Sequence, residues 1–370
     1  MEQQINSVEI FKNALTDIEN RRERRLSGQY NSILGPWDRM NLRFPGFERG
    51  KYWIFTASSG IGKTKFTKFF YVLSVYNFCK RNNIPFKIKY FALEETREHF
   101  WLSIIINLLK VTYKIDTDIQ KILSSGDNVL DLEIIKHIKL LEPLISDMLS
   151  SIEVIDSESN PTGIWKNVTK YALENGRIER PDEYTKLYKP NNSEEYVFVI
   201  TDHISLLSPE RDPVSKQKLS KHDTISKFSS EYCLKDFCKL YDYIVINIQQ
   251  QSADKEKLEF SYSGKSIEQK LEPSLDGLAD NKLTQRDADF VWGLFSPARY
   301  SIESYNGYDI TVLLDNYRCL KVLKDRHYGL ANGNFHLYFD GATNNFVELP
   351  LPNEMQKWYL KLNEIRKINK

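Results

Sequence analysis

The stretch that decides the fold reads Ala57-Ser58-Ser59-Gly60-Ile61-Gly62-Lys63-Thr64. It fits the relaxed phosphate-loop pattern A/G-x-x-x-x-G-K-S/T, with alanine in the place of the usual first glycine. The apolar run Tyr52–Thr56 leads into the loop, and a helical pattern from Lys65 to Phe78 leads out of it. Small residues let successive backbone N–H groups surround a phosphate at the start of a helix. The motif therefore predicts a nucleotide site in which Lys63 contacts the β- and γ-phosphates and Thr64 contacts Mg²⁺.

Outside this motif, short β-rich runs alternate with long helical patterns. This alternation is typical of an α/β protein with a mostly parallel central sheet. A helix is predicted from Asn6 to Gln29, and the polar stretches 176–195 and 209–222 are interpreted as an excursion and a loop. The predicted strands are Tyr52–Thr56, Lys87–Ala92, Ser151–Ile155, Tyr196–Thr201, Tyr243–Ile248, Phe290–Phe295, Leu320–Leu323 and a closing hairpin of Phe335–Phe339 and Asn345–Val347.

The composition limits the class of protein. The 370 residues are 41% hydrophobic and 27% charged, which allows a sizeable core. Lys and Arg number 51 against 50 Asp and Glu, so a uniformly basic nucleic-acid coat is excluded but a local basic patch is not. The four cysteines form no C-x-x-C pair and indicate neither a disulfide framework nor a zinc site. We find no signal peptide or membrane span and expect a soluble cytosolic protein.

Three acidic residues at strand ends are candidates for the chemistry. A phosphate-loop ATPase needs one carboxylate for the metal shell and another to orient the attacking water. Asp202 ends an apolar strand and is the metal-shell candidate, although such an acid can also be a turn residue. Glu94 and Glu95 follow the strand Lys87–Ala92. Because neighbouring side chains point to opposite faces, only one of them should face the site. The alternative is that both cap the next helix.

Three glutamines, Gln249, Gln250 and Gln251, follow the predicted strand Tyr243–Ile248. A glutamine at the tip of a core strand can hydrogen-bond the γ-phosphate region and couple the nucleotide state to an adjacent loop. The run of three leaves open which of them does so.

Taken in order, the motifs resemble the RecA-like motor domain of the DnaB-type replicative helicases, including their phage forms. The resemblance is collinear over roughly residues 30–350. It implies ATP and Mg²⁺ as cofactors, a homo-oligomeric, hexameric ring, and single-stranded DNA in its central channel. It also implies a linker helix at 1–30, a RecA-like motor at 31–350 and a C-terminal helix or tail at 351–370. The matching segments are the phosphate loop, Phe91-Ala92-Leu93-Glu94, Ile200-Thr201-Asp202-His203, Gln249, Arg286-Asp287-Ala288-Asp289 and Lys324-Asp325-Arg326-His327-Tyr328-Gly329.

The resemblance assigns roles to individual residues. Glu94 matches the catalytic glutamate, Asp202 the metal-shell aspartate that acts with Thr64, and Gln249 the sensor. Lys324 and Arg326 match the pair that reaches the γ-phosphate of the neighbouring subunit. The implied nucleotide contacts are Ala57, Ser58, Ser59, Gly60, Ile61, Gly62, Lys63, Thr64 and Asp202. The implied DNA contacts are Lys270, Gly277, Asn281 and Lys282, in or beside the channel segment Pro273–Asn281.

Three positions depart from the family pattern. His203 stands where the family has tyrosine, Asp325 where it has glutamine, and Ala279 where the DNA loop has arginine. The family's N-terminal helical domain is expected to be absent. Arg326 could alternatively form a surface ion pair with Asp325 or Asp340.

The implied function is that of an ATP-dependent replicative DNA helicase in a bacterial or phage-infected cytosol, with a primase or a loader among its partners. The alternative function is that of a non-unwinding RecA-like ATPase, an accessory of recombination or replication.

Overall fold

The computed structural model describes residues 7–212, 216–252 and 271–368. A nine-stranded sheet lies at its centre, and two small two-stranded hairpins, within residues 176–190 and 304–309, lie outside that sheet. The strands are β1 Tyr52–Ala57, β2 Phe86–Ala92, β3 Ile152–Ile155, β4 Gly176–Glu179, β5 Leu187–Pro190, β6 Tyr196–Asp202, β7 Ile244–Gln250, β8 Phe290–Phe295, β9 Ser304–Tyr305, β10 Tyr308–Asp309, β11 Tyr317–Asp325, β12 Asn334–Asp340 and β13 Asn345–Glu348.

The sheet order is β13-β12-β11-β8-β1-β7-β6-β2-β3. The six strands β8, β1, β7, β6, β2 and β3 pair with one another in parallel, whereas β11, β12 and β13 extend the sheet beyond β8 in antiparallel fashion. Ala57 of β1 is level with Gln250 of β7, and Ala92 of β2 is level with Asp202 of β6. The carboxyl ends of β1, β2, β6 and β7 therefore meet at one edge of the sheet, where ligands of such folds bind. The predicted α/β class with a mostly parallel sheet is confirmed.

Helices connect the strands and cover the sheet. The π-helical segment Lys68–Leu73 joins the helices Lys63–Thr67 and Ser74–Arg81, and the π-helical segment Phe228–Leu240 continues the helix Lys221–Lys227. The helices are α1 Ser7–Leu26, α2 Asp38–Asn41, α3 Lys63–Thr67, α4 Ser74–Arg81, α5 Arg97–Tyr113, α6 Ile119–Ile122, α7 Leu132–Leu140, α8 Glu142–Ser151, α9 Pro161–Glu174, α10 Lys221–Lys227, α11 Thr284–Asp287, α12 Ile310–Leu313 and α13 Gln356–Ile368. Among the described helices, none is long and apolar enough to cross a membrane.

The start of α5 shows whether Glu94 and Glu95 cap this helix. Thr96 is its N-cap residue, and the Thr96 hydroxyl accepts a hydrogen bond from the backbone N–H of His99 at 3.4 Å. A threonine at this position satisfies an N–H group that the first helical turn leaves without a partner. The alternative that Glu94 and Glu95 both cap this helix is therefore wrong.

The core lies on both faces of the sheet. All residues of β1 and β6 are buried, which is typical of strands covered by helices on both sides. On one face, Trp53 stacks on Phe290 with ring centroids 3.9 Å apart. A separate apolar cluster packs α13 against the start of β11. The four cysteines, Cys79, Cys233, Cys238 and Cys319, are free and buried.

Two local predictions differ from the structure. The stretch 176–195, interpreted as a polar excursion, contains the hairpin β4–β5. One aromatic residue anchors this hairpin: the Tyr188 hydroxyl donates to the carbonyl of Ala172 at 2.8 Å, and the Tyr188 ring packs edge-on against Tyr241. The stretch 209–222, interpreted as a loop, ends in the first turn of α10, which Ser220 caps. In both cases a few anchoring contacts fix a segment whose composition is mainly polar.

Candidate nucleotide-binding site

The phosphate loop runs from the end of β1 to the start of α3. Gly60 and Gly62 have φ angles of +77° and +99°, a region that glycine enters without strain. A Cβ atom on Gly62 would lie 3.1 Å from the ring of Phe339 on β12, so a larger residue would also crowd this ring. Gly62 directly precedes Lys63, the first residue of α3. The first N–H groups of a helix have no acceptor within that helix, so they are available to a phosphate.

Two arginines that sequence analysis missed hold the loop from outside. Arg318 of β11 is 1% exposed, and its Nε donates to the carbonyl of Ile61 at 2.8 Å. Its NH1 also donates to the Ser296 hydroxyl at 3.0 Å. Arg299 donates to the carbonyl of Ser59. These arginines lie 257 and 240 residues from their loop partners, so no local sequence pattern could indicate the contacts.

Asp202 lies beside Lys63 in a buried environment. The Tyr90 hydroxyl donates to Asp202 Oδ2 at 2.7 Å, while Oδ1 is buried without a hydrogen-bond partner among the described residues. Burial raises the pKa of Asp202, against the effect of the Tyr90 hydrogen bond and the Lys63 charge. Burial lowers the pKa of Lys63, against the effect of the Asp202 and Glu94 charges. A buried carboxylate oxygen without a partner fits a water ligand of Mg²⁺, an ion that keeps several waters in protein sites.

Glu94 and Glu95 have different surroundings. The Glu94 carboxylate is 53% exposed, with Oε2 3.9 Å from Nε2 of His203. Burial lowers the pKa of His203 to about 4, so this imidazole is neutral at neutral pH. Glu95 instead forms an ion pair with Lys68 at 2.7 Å, in which the Lys68 side chain is 4% exposed. Glu94 is thus the acid that shares the surroundings of Lys63, and Glu95 is bound into the protein.

Gln249 is buried and hydrogen-bonded to residues 279–284, between β7 and β8 in the chain. Its Nε2 donates to the carbonyls of Ala279 at 2.7 Å and Asn281 at 2.8 Å. Its Oε1 accepts a hydrogen bond from the Thr284 hydroxyl at 2.8 Å. Gln251 is connected to the predicted channel segment as well, since its Nε2 donates to the carbonyl of Ser274 at 3.2 Å. These contacts therefore leave open which glutamine is the sensor. The contact of Gln249 with the γ-phosphate region stays a prediction.

The residues predicted to contact DNA differ in their exposure to solvent, where the structure describes them. Lys270 lies outside the described residues. Gly277 and Asn281 are buried, and the Asn281 side-chain amide donates to the carbonyl of His222 at 3.0 Å. Lys282 is exposed. The structure therefore does not support direct DNA contacts by Gly277 and Asn281, whereas the contact by Lys282 stays a prediction.

Lys324 and Arg326 lie at the opposite edge of the sheet from the phosphate loop, because β11 runs antiparallel to β8. Arg326 pairs with Asp289, with NH1 3.3 Å from Oδ1, and its NH2 donates to the carbonyl of Arg286 at 2.8 Å. Lys324 Nζ donates to the carbonyl of Ala288 at 2.7 Å.

The alternative that Arg326 pairs with Asp325 or Asp340 is wrong, since its carboxylate partner is Asp289. Asp325 instead accepts backbone N–H groups of the following turn, from His327 at 2.8 Å and Tyr328 at 2.7 Å.

Comparison with known proteins finds the fold but no sequence relative. No family model matches the chain, and no curated protein matches it. Among solved structures, one ATPase domain is 19% identical with a TM-score of 0.65, covering 92% of this chain and 98% of that one. A DnaB-like replicative helicase, solved in a study of its interactions with primase, is also 19% identical with a TM-score of 0.65. That match covers 91% of this chain and 66% of the helicase. The chain therefore has the fold of this ATPase domain and of this helicase, and the predicted fold is confirmed.

Proposed function

We propose that this chain is the motor of an ATP-dependent replicative DNA helicase. In this proposal, residues 31–350 form the motor, residues 1–30 form a linker helix and residues 351–370 form a C-terminal helix or tail. Copies assemble as a homo-oligomeric, hexameric ring in a bacterial or phage-infected cytosol. ATP hydrolysis between subunits moves single-stranded DNA through the ring. The helicase fold and the geometry of the phosphate loop support this function.

Four residues carry the chemistry at one subunit's face of the site. Lys63 contacts the β- and γ-phosphates, and Thr64 and Asp202 hold the metal with its water ligands. Mg²⁺ held there would offset the negative charge that develops on the phosphate oxygens. Glu94 is exposed, its charge acts on Lys63, and it accepts the proton of the attacking water as a general base. Glu95 has no part in this step, because it is already paired with Lys68.

The observation that carries the proposal is the position of Arg326. Arg326 lies beside Tyr52, because Asp289, its ion-pair partner, accepts the backbone N–H of that residue at 3.0 Å. The phosphate loop begins after Ala57, at the other end of β1. Five residue steps along a strand span about 17 Å. An arginine side chain does not cover that distance, so Arg326 is suited to the nucleotide of a neighbouring subunit and not to its own.

The N-terminal helix supports an assembly of this kind. Phe11, Leu15 and Ile18 are spaced along one face of α1 and are 67%, 42% and 62% exposed. Apolar residues that recur at helical spacing and face water in one chain are typical of a docking helix. We propose that α1 docks on the next subunit. A primase or a loader completes the proposed set of partners.

Unwinding of a forked duplex tests the function. We expect ATP-dependent release of a labelled strand on a fork with single-stranded tails of both polarities, and none with Lys63→Ala. Hydrolysis without strand release would instead support the accessory ATPase, a function that the buried positions of Gly277 and Asn281 favour.

A mixing experiment tests the shared site. Arg326→Ala retains its phosphate loop, and Lys63→Ala retains its arginine. If the site lies between subunits, mixed rings of the two inactive variants recover part of the hydrolysis. Mixed rings that stay inactive would contradict the assignment of Arg326.

A further inference from the structure

We propose that Asp289 is a positioning residue for Arg326, which holds the guanidinium in the geometry needed to reach the neighbouring nucleotide. The inference rests on the proposed function, and it adds a residue to which neither the motif nor the fold comparison assigns a role. Asp289 does not touch the nucleotide itself. It acts through the arginine alone.

Asp289 joins the arginine to a central strand of the sheet. Its Oδ2 accepts the backbone N–H of Tyr52 at 3.0 Å, and its own N–H donates to the Tyr52 carbonyl at 2.8 Å. Its Oδ1 lies 3.3 Å from NH1 of Arg326. The backbone N–H of Arg326 also donates to the Asp289 carbonyl at 3.1 Å. The carboxylate is therefore fixed at the start of β1 by one oxygen and holds the arginine with the other.

This arrangement leaves the guanidinium able to act. Its described contacts use NH1 toward Asp289 and NH2 toward the carbonyl of Arg286. A guanidinium has five N–H donors, so further donors remain for phosphate oxygens. The Arg326 side chain is 45% exposed, whereas the Asp289 side chain is 11% exposed. A guanidinium that is held in place on one side and exposed on the other is suited to contact a transition state, because no free energy is then spent on ordering the side chain during the reaction.

His327 also faces this carboxylate group, and Lys51 contacts the His327 ring. His327 Nε2 lies 3.1 Å from Asp289 Oδ1 and 3.3 Å from Lys51 Nζ. Asp289 is therefore shared between the arginine and the histidine that follows it. These two contacts hold the turn after β11 against the carboxylate and so limit the directions in which Arg326 can leave the sheet.

The test is Asp289→Asn, with Asp287→Asn as the matched control. Asparagine keeps one oxygen for the N–H of Tyr52 and loses the charge that faces Arg326. Asp287 lies two residues earlier and accepts the Ser229 hydroxyl at 2.7 Å, without a hydrogen bond to Arg326 among the described residues. We expect Asp289→Asn to lower kcat about 10²-fold, the effect of a small misplacement of a reacting group, with KM for ATP unchanged. Asp287→Asn should stay near the wild-type rate.

Mixed rings separate positioning from a general structural defect. Asp289→Asn should recover hydrolysis when mixed with Lys63→Ala, which supplies an intact arginine, but not when mixed with Arg326→Ala. Three outcomes would overturn the inference. Asp289→Asn could recover hydrolysis when mixed with Arg326→Ala, it could fail to recover hydrolysis with either partner, or it could hydrolyse ATP at the wild-type rate on its own. The pair Arg326→Ala with Lys63→Ala is measured in parallel. If that pair fails to recover, the shared site itself is wrong; if it recovers while the pattern for Asp289→Asn differs, only the positioning role is wrong.

Discussion

Substitutions of the two adjacent acids at the end of β2, Glu94 and Glu95, should have different effects, one on catalysis and the other on stability. We expect Glu94→Gln to fold normally and to hydrolyse ATP about 10²–10⁴-fold more slowly, the usual effect of losing a general base. Its carboxylate is 53% exposed, so the substitution disturbs little of the packing. Glu95→Gln should show the reverse pattern, with hydrolysis close to wild type and a lower free energy of unfolding.

The size of the stability loss follows from the surroundings of Lys68. Removing one partner of a buried ion pair typically costs about 3–5 kcal/mol. Glu95 is 19% exposed, and the glutamine that replaces it keeps one oxygen that can accept from Lys68 Nζ. We therefore expect Glu95→Gln to lower the free energy of unfolding by about 2 kcal/mol, below that range because part of the interaction remains.

Hydrolysis rates at saturating ATP and urea unfolding curves measure the two effects. Glu98→Gln is the control, since Glu98 is an exposed acid in the first turn of α5. Hydrolysis is compared at a temperature at which all three variants are folded. If Glu95→Gln slows hydrolysis more than Glu94→Gln does, the assignment of these two acids is reversed and the reasoning fails.

Three further outcomes are expected. Lys63→Ala should abolish ATP turnover and leave the urea midpoint nearly unchanged, and near-normal turnover in a hydrolysis assay would remove the phosphate-loop assignment. Lys282→Ala should weaken binding of single-stranded DNA and reduce the slope of log affinity against log salt by about 1, measured by fluorescence anisotropy; an unchanged slope would exclude the contact. Arg318→Lys should lower the free energy of unfolding by about 3 kcal/mol and weaken binding of a fluorescent ATP analogue. Lysine cannot donate to the Ile61 carbonyl and the Ser296 hydroxyl at once as the guanidinium does, so a stable variant with normal affinity would contradict this support role.

Local patterns predicted the sheet well. Phe290–Phe295 matches β8, and β1, β2 and β6 begin or end within a residue of the predicted strands. β1, β6 and β8 are mainly apolar on both faces, and β2 alternates Lys87 and Lys89 with apolar residues, so the signal is contained within each segment. The strand Leu320–Leu323 was predicted too short because Arg318 and Lys324 interrupt the apolar run. In the structure, backbone carbonyls and hydroxyl groups accept from these charged side chains.

The contacts between distant segments were not predictable in the same way. The partner of Arg326 is Asp289, 37 residues earlier in the chain, although Asp325 is adjacent in the sequence. The carboxylate of Asp325 does not pair with the arginine because it caps the turn after β11. In the same way, a pattern of three glutamines cannot reveal that Gln249 faces the carbonyls of Ala279 and Asn281. Such choices depend on strand register and on which backbone groups are left without a partner, and both arise only when the sheet is assembled.

The burial of every cysteine makes this chain convenient for site-specific labelling. Burial raises the pKa of the Cys319 thiol to about 12 and raises the pKa of the other three thiols as well, so the reactive thiolate is scarce at neutral pH. A maleimide dye should therefore ignore the native residues and attach to a cysteine introduced on the surface. Leu26 at the end of α1 and Val129 between α6 and α7 are 66% and 85% exposed and are suitable positions. Donor and acceptor dyes at Leu26→Cys and Val129→Cys would report, by energy transfer between differently labelled copies, how neighbouring chains approach each other while every native thiol is retained.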